Sequence, residues 1–182
     1  KISHFMARRF DHPATSSPVV TLLATLAFVV SQFHLGYLLH QLRPNVLVLQ
    51  LTFDADRYWA ILQAWGDDGL RAYRAHFPYD FAHLFIYALF GRMLATRAGL
   101  FAPDEARAAR CSAWLLPVAA LFDLAENLLQ LHLLAGPAGA PDVAVPLSAG
   151  CSAVKWGLAA LFALVVGARV ARKCARIGRA SQ

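Results

Sequence analysis

The sequence predicts an all-α fold, a four-helix transmembrane bundle with an interfacial amphipathic helix between helices 1 and 2. Three observations predict it. Four apolar stretches, at about 18–41, 77–94, 111–135 and 146–167, each approach or exceed the roughly 20 residues that cross a hydrocarbon core. Hydrophobic residues make up 58% of the chain and charged residues 15%, where a soluble domain carries about a quarter. Lys and Arg gather at the ends of the apolar stretches and do not form a stripe. The stretches leave no room for a separate soluble unit, so residues 1–182 are read as a single integral membrane domain.

The first stretch, 18–41, is longer than the h-region of a signal peptide and no small-x-small cleavage site follows it, so it is expected to be a retained helix. Beyond it, Asp54 is placed to cap a helix starting near Ala55. Ala55, Tyr58, Trp59, Leu62 and Trp65 then share one face, and Gly66 is placed to stop that helix. Such an aromatic face suits either the lipid–water interface or the mouth of the bundle itself; in both cases it lids the outer end. Asp67 or Asp68 starts a further helix through Tyr73 and Arg74 into the stretch 77–94, and Pro78 predicts a kink there. Pro117 predicts a bend within 111–135. A short turn at 136–140, with Pro137 and Pro141, leads to the last stretch.

Charge placement gives direction. Lys1, Arg8 and Arg9 precede the first stretch. Arg92, Arg97, Arg107 and Arg110 lie in the middle loop, and Arg169, Arg172, Lys173, Arg176 and Arg179 follow the last stretch. The turn between the last two stretches has no basic residue. The positive-inside rule then predicts both termini on the cytoplasmic side of a bacterial inner membrane, in a multi-pass arrangement. Arg43, Arg57, Arg71 and Arg74 run against it, but they share a long loop with Asp54, Asp56, Asp67 and Asp68. The formal charge of +6 is thereby explained by topology, and no nucleic-acid partner is expected. Cys111, Cys151 and Cys174 form no CxxC pair, which argues against a thiol–disulfide carrier or a Cys-rich zinc site.

Ionisable groups at bilayer depth are expensive unless paired or hydrated, so each calls for a partner or a purpose. The first stretch carries His34 and Tyr37. The second carries Asp80, His83 and Tyr87 on one face. The third carries Asp123, Glu126, Asn127 and Gln130, also on one face, and the fourth carries Lys155 and Trp156. Glu126 and Lys155 each lie about nine residues, or roughly 13 Å, from the outer end of their helices. In an antiparallel bundle these depths coincide, which predicts one polar region in the outer half.

Two stretches carry a resemblance: the run Gly66, Asp67, Asp68, Gly69, Leu70, Arg71, Ala72, Tyr73 leading to Asp80 and Tyr87, and the run Phe122, Asp123, Leu124, Ala125, Glu126, Asn127. Over about half the chain they resemble an uncharacterised group of small bacterial four-helix integral membrane proteins with a GxxGRxxY-like segment and a D-x-x-E-N stretch. Here Gly69 directly precedes Leu70 and Arg71, a departure from the first pattern. The resemblance implies four helices, draws attention to Asp80, Asp123, Glu126 and Asn127, and implies no activity.

Three functions compete for the polar region. In the first it binds, and transforms by acid–base chemistry such as isomerisation or cyclisation, a lipophilic small molecule or membrane lipid. Asp123, Glu126 and His83 would then be catalytic. His34, Tyr37, Asp80, Tyr87, Asn127, Gln130, Lys155 and Trp156 would bind the ligand, with Lys155 holding an anionic group. In the second, the polar groups are structural glue in a non-catalytic subunit or assembly factor, with a membrane-protein partner or a second copy of the chain packed on small residues such as Gly91, Ala95, Gly157 and Ala159. The third is a metal site from His34, His83, Asp80 and Glu126. No HxxxH or ExxH pair supports it, so neither a metal nor a cofactor is expected.

Overall fold

A computed structural model describes residues 18–137 and 143–180, with side chains through residue 175. The N-terminal basic group Lys1, Arg8 and Arg9, most of the turn at 136–140, and the side chains of Arg176 and Arg179 lie outside the described residues. Every regular element among the described residues is helical: α1 (Pro18–Leu39), α2 (Val46–Gln50), α3 (Ala55–Arg97), α4 (Ala106–Ala135) and α5 (Ala144–Ala180), with a 3-10 turn at Pro103–Glu105.

Three helical segments are long and apolar enough to cross a membrane. They are Val19–Leu39, with mean hydropathy 1.8; Pro103–Ala135, with 1.3; and Ala144–Ala175, with 1.8. The segment 77–94 is helical as part of α3 but does not join them, because Asp80, His83 and Arg92 lower its hydropathy. Large apolar side chains face outward along these helices, among them Leu22, Phe33, Leu121, Leu128 and Leu164, each more than half exposed. Contiguous apolar exposure of this kind marks a surface that meets something other than water.

α3 consists of two helices joined end to end. Asp54 caps the first, its side chain accepting the Arg57 N–H at 2.8 Å. Gly66, at φ 61° and ψ −172°, breaks it, and the second begins with Asp67 and Asp68. Gly66 is the residue of α3 that leaves helical geometry, while Pro78 lies inside the second helix with helical backbone angles. Left-handed backbone suits glycine because it has no Cβ to clash. Tyr58, Trp59, Leu62 and Trp65 are buried, in one cluster with Leu133 of α4 and Val145 of α5. That face therefore covers the ends of α4 and α5. Two side chains fix it there: Tyr58 donates to Gln130 Oε1 at 2.6 Å, and Trp65 Nε1 donates to the Pro44 carbonyl at 2.7 Å.

α1 packs on α3, α3 on α4, and α4 on α5. α3 and α4 meet closely at Gly91, where an added Cβ would come within 2.6–2.8 Å of Leu116. Gly91 and the buried Ala95 are thus consumed by packing inside the chain and offer no surface to a partner. A second core, with Leu84, Leu116, Phe162 and Val166, fills the opposite half of the bundle. α2 was not expected from the sequence. Asn45 caps it by accepting from Val48 N at 3.2 Å, and Leu49 anchors it with only 1% exposure.

Candidate functional site

The predicted polar residues divide into an ionic centre, two hydrogen-bonded ties and a peripheral group. The centre lies between α4 and α5. Lys155 Nζ is 2.9 Å from Asp123 Oδ1 and 2.6 Å from Glu126 Oε2, with all three side chains buried. Asp123 and Glu126, three residues apart, fall on one helical face, and Lys155 reaches both from the facing helix. Tyr87 of α3 donates to the other Asp123 oxygen at 3.0 Å. Both Glu126 oxygens are buried, and Lys155 is the cation that faces them.

The ties hold the helices around that centre. Asn127 Nδ2 donates to Asp80 Oδ2 at 2.6 Å, joining α4 to α3. Gln130 accepts from Tyr58 and donates to Ser148 Oγ at 2.7 Å, joining both parts of the α3–α4–α5 mouth. His83 Nδ1 lies 2.8 Å from Ser31 Oγ, which joins α3 to α1. Phe28 stacks between His83 and Phe90, with ring centroids 5.8 and 4.4 Å away.

A cavity of about 390 Å³ opens beside the centre. α1 and α5 form its flanks, and the Asn45–Gln50 segment closes one end, where Trp156 Nε1 reaches Gln50 Oε1 at 3.3 Å. Its polar wall includes Asp80, His83, Tyr87, Asp123 and Lys155, and its apolar wall includes Phe28, Leu35, Leu39 and Leu116. An apolar pocket with a few convergent polar groups is the usual form of a small-molecule site.

Several expected site residues lie elsewhere. Glu126 sits behind Lys155 and does not line the cavity. Asn127 and Gln130 act as ties and do not reach it either. His34 is exposed, edge-on to Tyr79, and Tyr37 is 72% exposed, stacked with His40. The rotation of α1 turns them away from the cavity and brings Gln32 and Leu35 to its wall. Conversely, His76 and Gln50 line the cavity, and neither is among the site residues expected from the sequence. His76 shares a helical face with Asp80 and His83 at i, i+4 and i+7, a signal that its place before the apolar stretch obscured. Among the described residues no group of three or more His, Cys, Asp or Glu side chains is arranged to hold a metal ion. No family model, curated protein or solved structure matches this chain.

Proposed function

We propose that this chain is a four-pass integral protein of a bacterial inner membrane, with both termini cytoplasmic, and that it binds a lipophilic small molecule entering sideways from the bilayer between α1 and α5. The fourth crossing is the second part of α3, whose Asp80, His83 and Tyr87 turn inward. The observation that carries this reading is the cavity itself. Its open flank is bounded by the two helices most exposed and most apolar, and its inner wall is the ionic centre. A ligand reaching it from lipid never has to cross water.

The cavity wall also supports proton chemistry. Asp123 lies between Tyr87 and Lys155, so a proton can move along Tyr87, Asp123 and Lys155 at hydrogen-bond distances. His83 leaves Nε2 without a partner among the described residues, while Ser31 fixes its Nδ1 side. Asp123 and His83 are therefore the acid–base pair we assign for an isomerisation or cyclisation. Glu126 is a positioning residue, because it holds Lys155 and does not touch the cavity.

The competing reading, a non-catalytic subunit glued by its polar cluster, is favoured by one observation: the centre's ammonium and most of its carboxylate oxygens are matched inside the chain. Gly36 separates the two. It lines the cavity and an added Cβ meets no atom within 4 Å, so there is room to begin a side chain there and Gly36→Phe is expected to narrow the space. The wild-type chain, purified from native membrane in mild detergent, is expected to carry a lipophile enriched over bulk lipid in mass-spectrometric extracts, and Gly36→Phe is expected to lose it. Identical extracts from the two would remove the ligand reading and leave the subunit.

A further inference from the structure

We infer that the occupant of the cavity is a lipophilic cation, a protonated amine or quaternary ammonium on an apolar tail. This rests on the ligand reading above and adds the sign of the ligand's charge. Three carboxylates, Asp80, Asp123 and Glu126, are answered by one ammonium, Lys155. Lys155 already faces two of them, so its single positive charge is more than matched and leaves no net attraction for an anionic head group, the role the sequence suggested for it.

Asp80 is the carboxylate left over. It is half-buried in the cavity wall and has no ion-pair partner among the described residues. Its hydrogen bond comes from the neutral amide of Asn127. A carboxylate in such surroundings without a counter-charge is unfavourable, and a bound cation relieves that. Even if one of the three carboxyls is protonated, the group keeps a negative balance.

The aromatic lining agrees. Trp156 already has Lys155 Nζ 5.3 Å from its ring centroid, and Phe28 and Tyr87 also line the same space. Aromatic faces attract cations and not anions. Leu35 and Leu39 of α1 continue the apolar wall toward the lipid side, where a tail would lie.

Two probes with the same ten-carbon tail test the sign directly: decyltrimethylammonium and decanoate. Each is titrated into the purified full chain in neutral detergent at about pH 8, with binding read by native mass spectrometry and thermal shift. The wild-type chain is expected to bind the ammonium at least about tenfold tighter, a difference of about 1.4 kcal/mol. Asp80→Asn is expected to remove most of that preference, and Gly36→Phe to remove binding of both probes. Equal or tighter decanoate binding that Gly36→Phe still blocks overturns the cation and leaves the ligand site standing. Absence of binding by both probes, or binding that ignores Gly36→Phe, overturns both. Should Asp80→Asn fail to fold, the comparison of probes on the wild-type chain decides alone.

Discussion

Lys155 is the residue on which the polar centre turns. Both carboxylates of α4 reach it within 3 Å, at 2.9 Å for Asp123 and 2.6 Å for Glu126. Removing one partner of a buried pair leaves an uncompensated charge, which destabilises by about 3–5 kcal/mol. Lys155→Met is therefore expected to lower the thermal midpoint in detergent sharply, since it strands two carboxylates at once. Glu126→Gln is expected to cost less, because Asp123 still holds the ammonium. Adding Asp123→Asn and Glu126→Gln to Lys155→Met should restore part of the midpoint, and additive losses across that series would disprove a coupled centre. The residue types and their depths were readable from the sequence, because 1.5 Å of rise per residue converts position into height. Which oxygen meets which nitrogen was not, since that depends on helix rotation.

At the scale of elements, the break in α3 decides where the aromatic face goes. Gly66 holds φ 61° and ψ −172°, a region almost closed to residues with a Cβ. Gly66→Ala is expected to destabilise by about 1–3 kcal/mol. It should also move Trp59 and Trp65 from their buried sites, visible as a red shift in tryptophan emission. An unshifted spectrum and midpoint would show that the break does not place the face. The stop at Gly66 and the cap at Asp54 were legible, because both are local backbone chemistry. At Pro78, where the sequence predicts a kink, the backbone angles stay helical, and the break in α3 lies at Gly66. α2 escaped notice because five residues are too few to show a period.

Over the whole molecule, the two ends of the bundle are held differently. One end is lidded by buried aromatic residues, and the other is tied by ionic contacts. There Glu105, which precedes the apolar stretch of α4, accepts from Ala102 N and from Arg169 of α5. The Ala102 amide first, and then Arg169, hold the Glu105 carboxyl below its ordinary value of 4.5. The folded value lies below the unfolded one. The pair therefore contributes fully above pH 4.5 and loses its contribution as pH falls through the lowered folded value. The wild type is expected to exceed Glu105→Gln in thermal midpoint at neutral pH, with the gap closing in acid and shrinking in high salt. A gap that persists well below that window would mean the pair does not titrate with folding.

The sequence by itself determined that the chain is helical and that its stretches at about 18–41, 111–135 and 146–167 are apolar enough for a bilayer; the fourth stretch it marked, 77–94, is helical but less apolar. Composition, hydropathy and rise per residue are local quantities, so they survive without coordinates. Only the tertiary structure decided that Glu126 stands behind Lys155, that His34 and Tyr37 face outward, and that α1 and α5 stand apart around a cavity. Those facts follow from how each helix is rotated and which neighbour it packs on, and packing sums many contacts distant in sequence that no local pattern encodes.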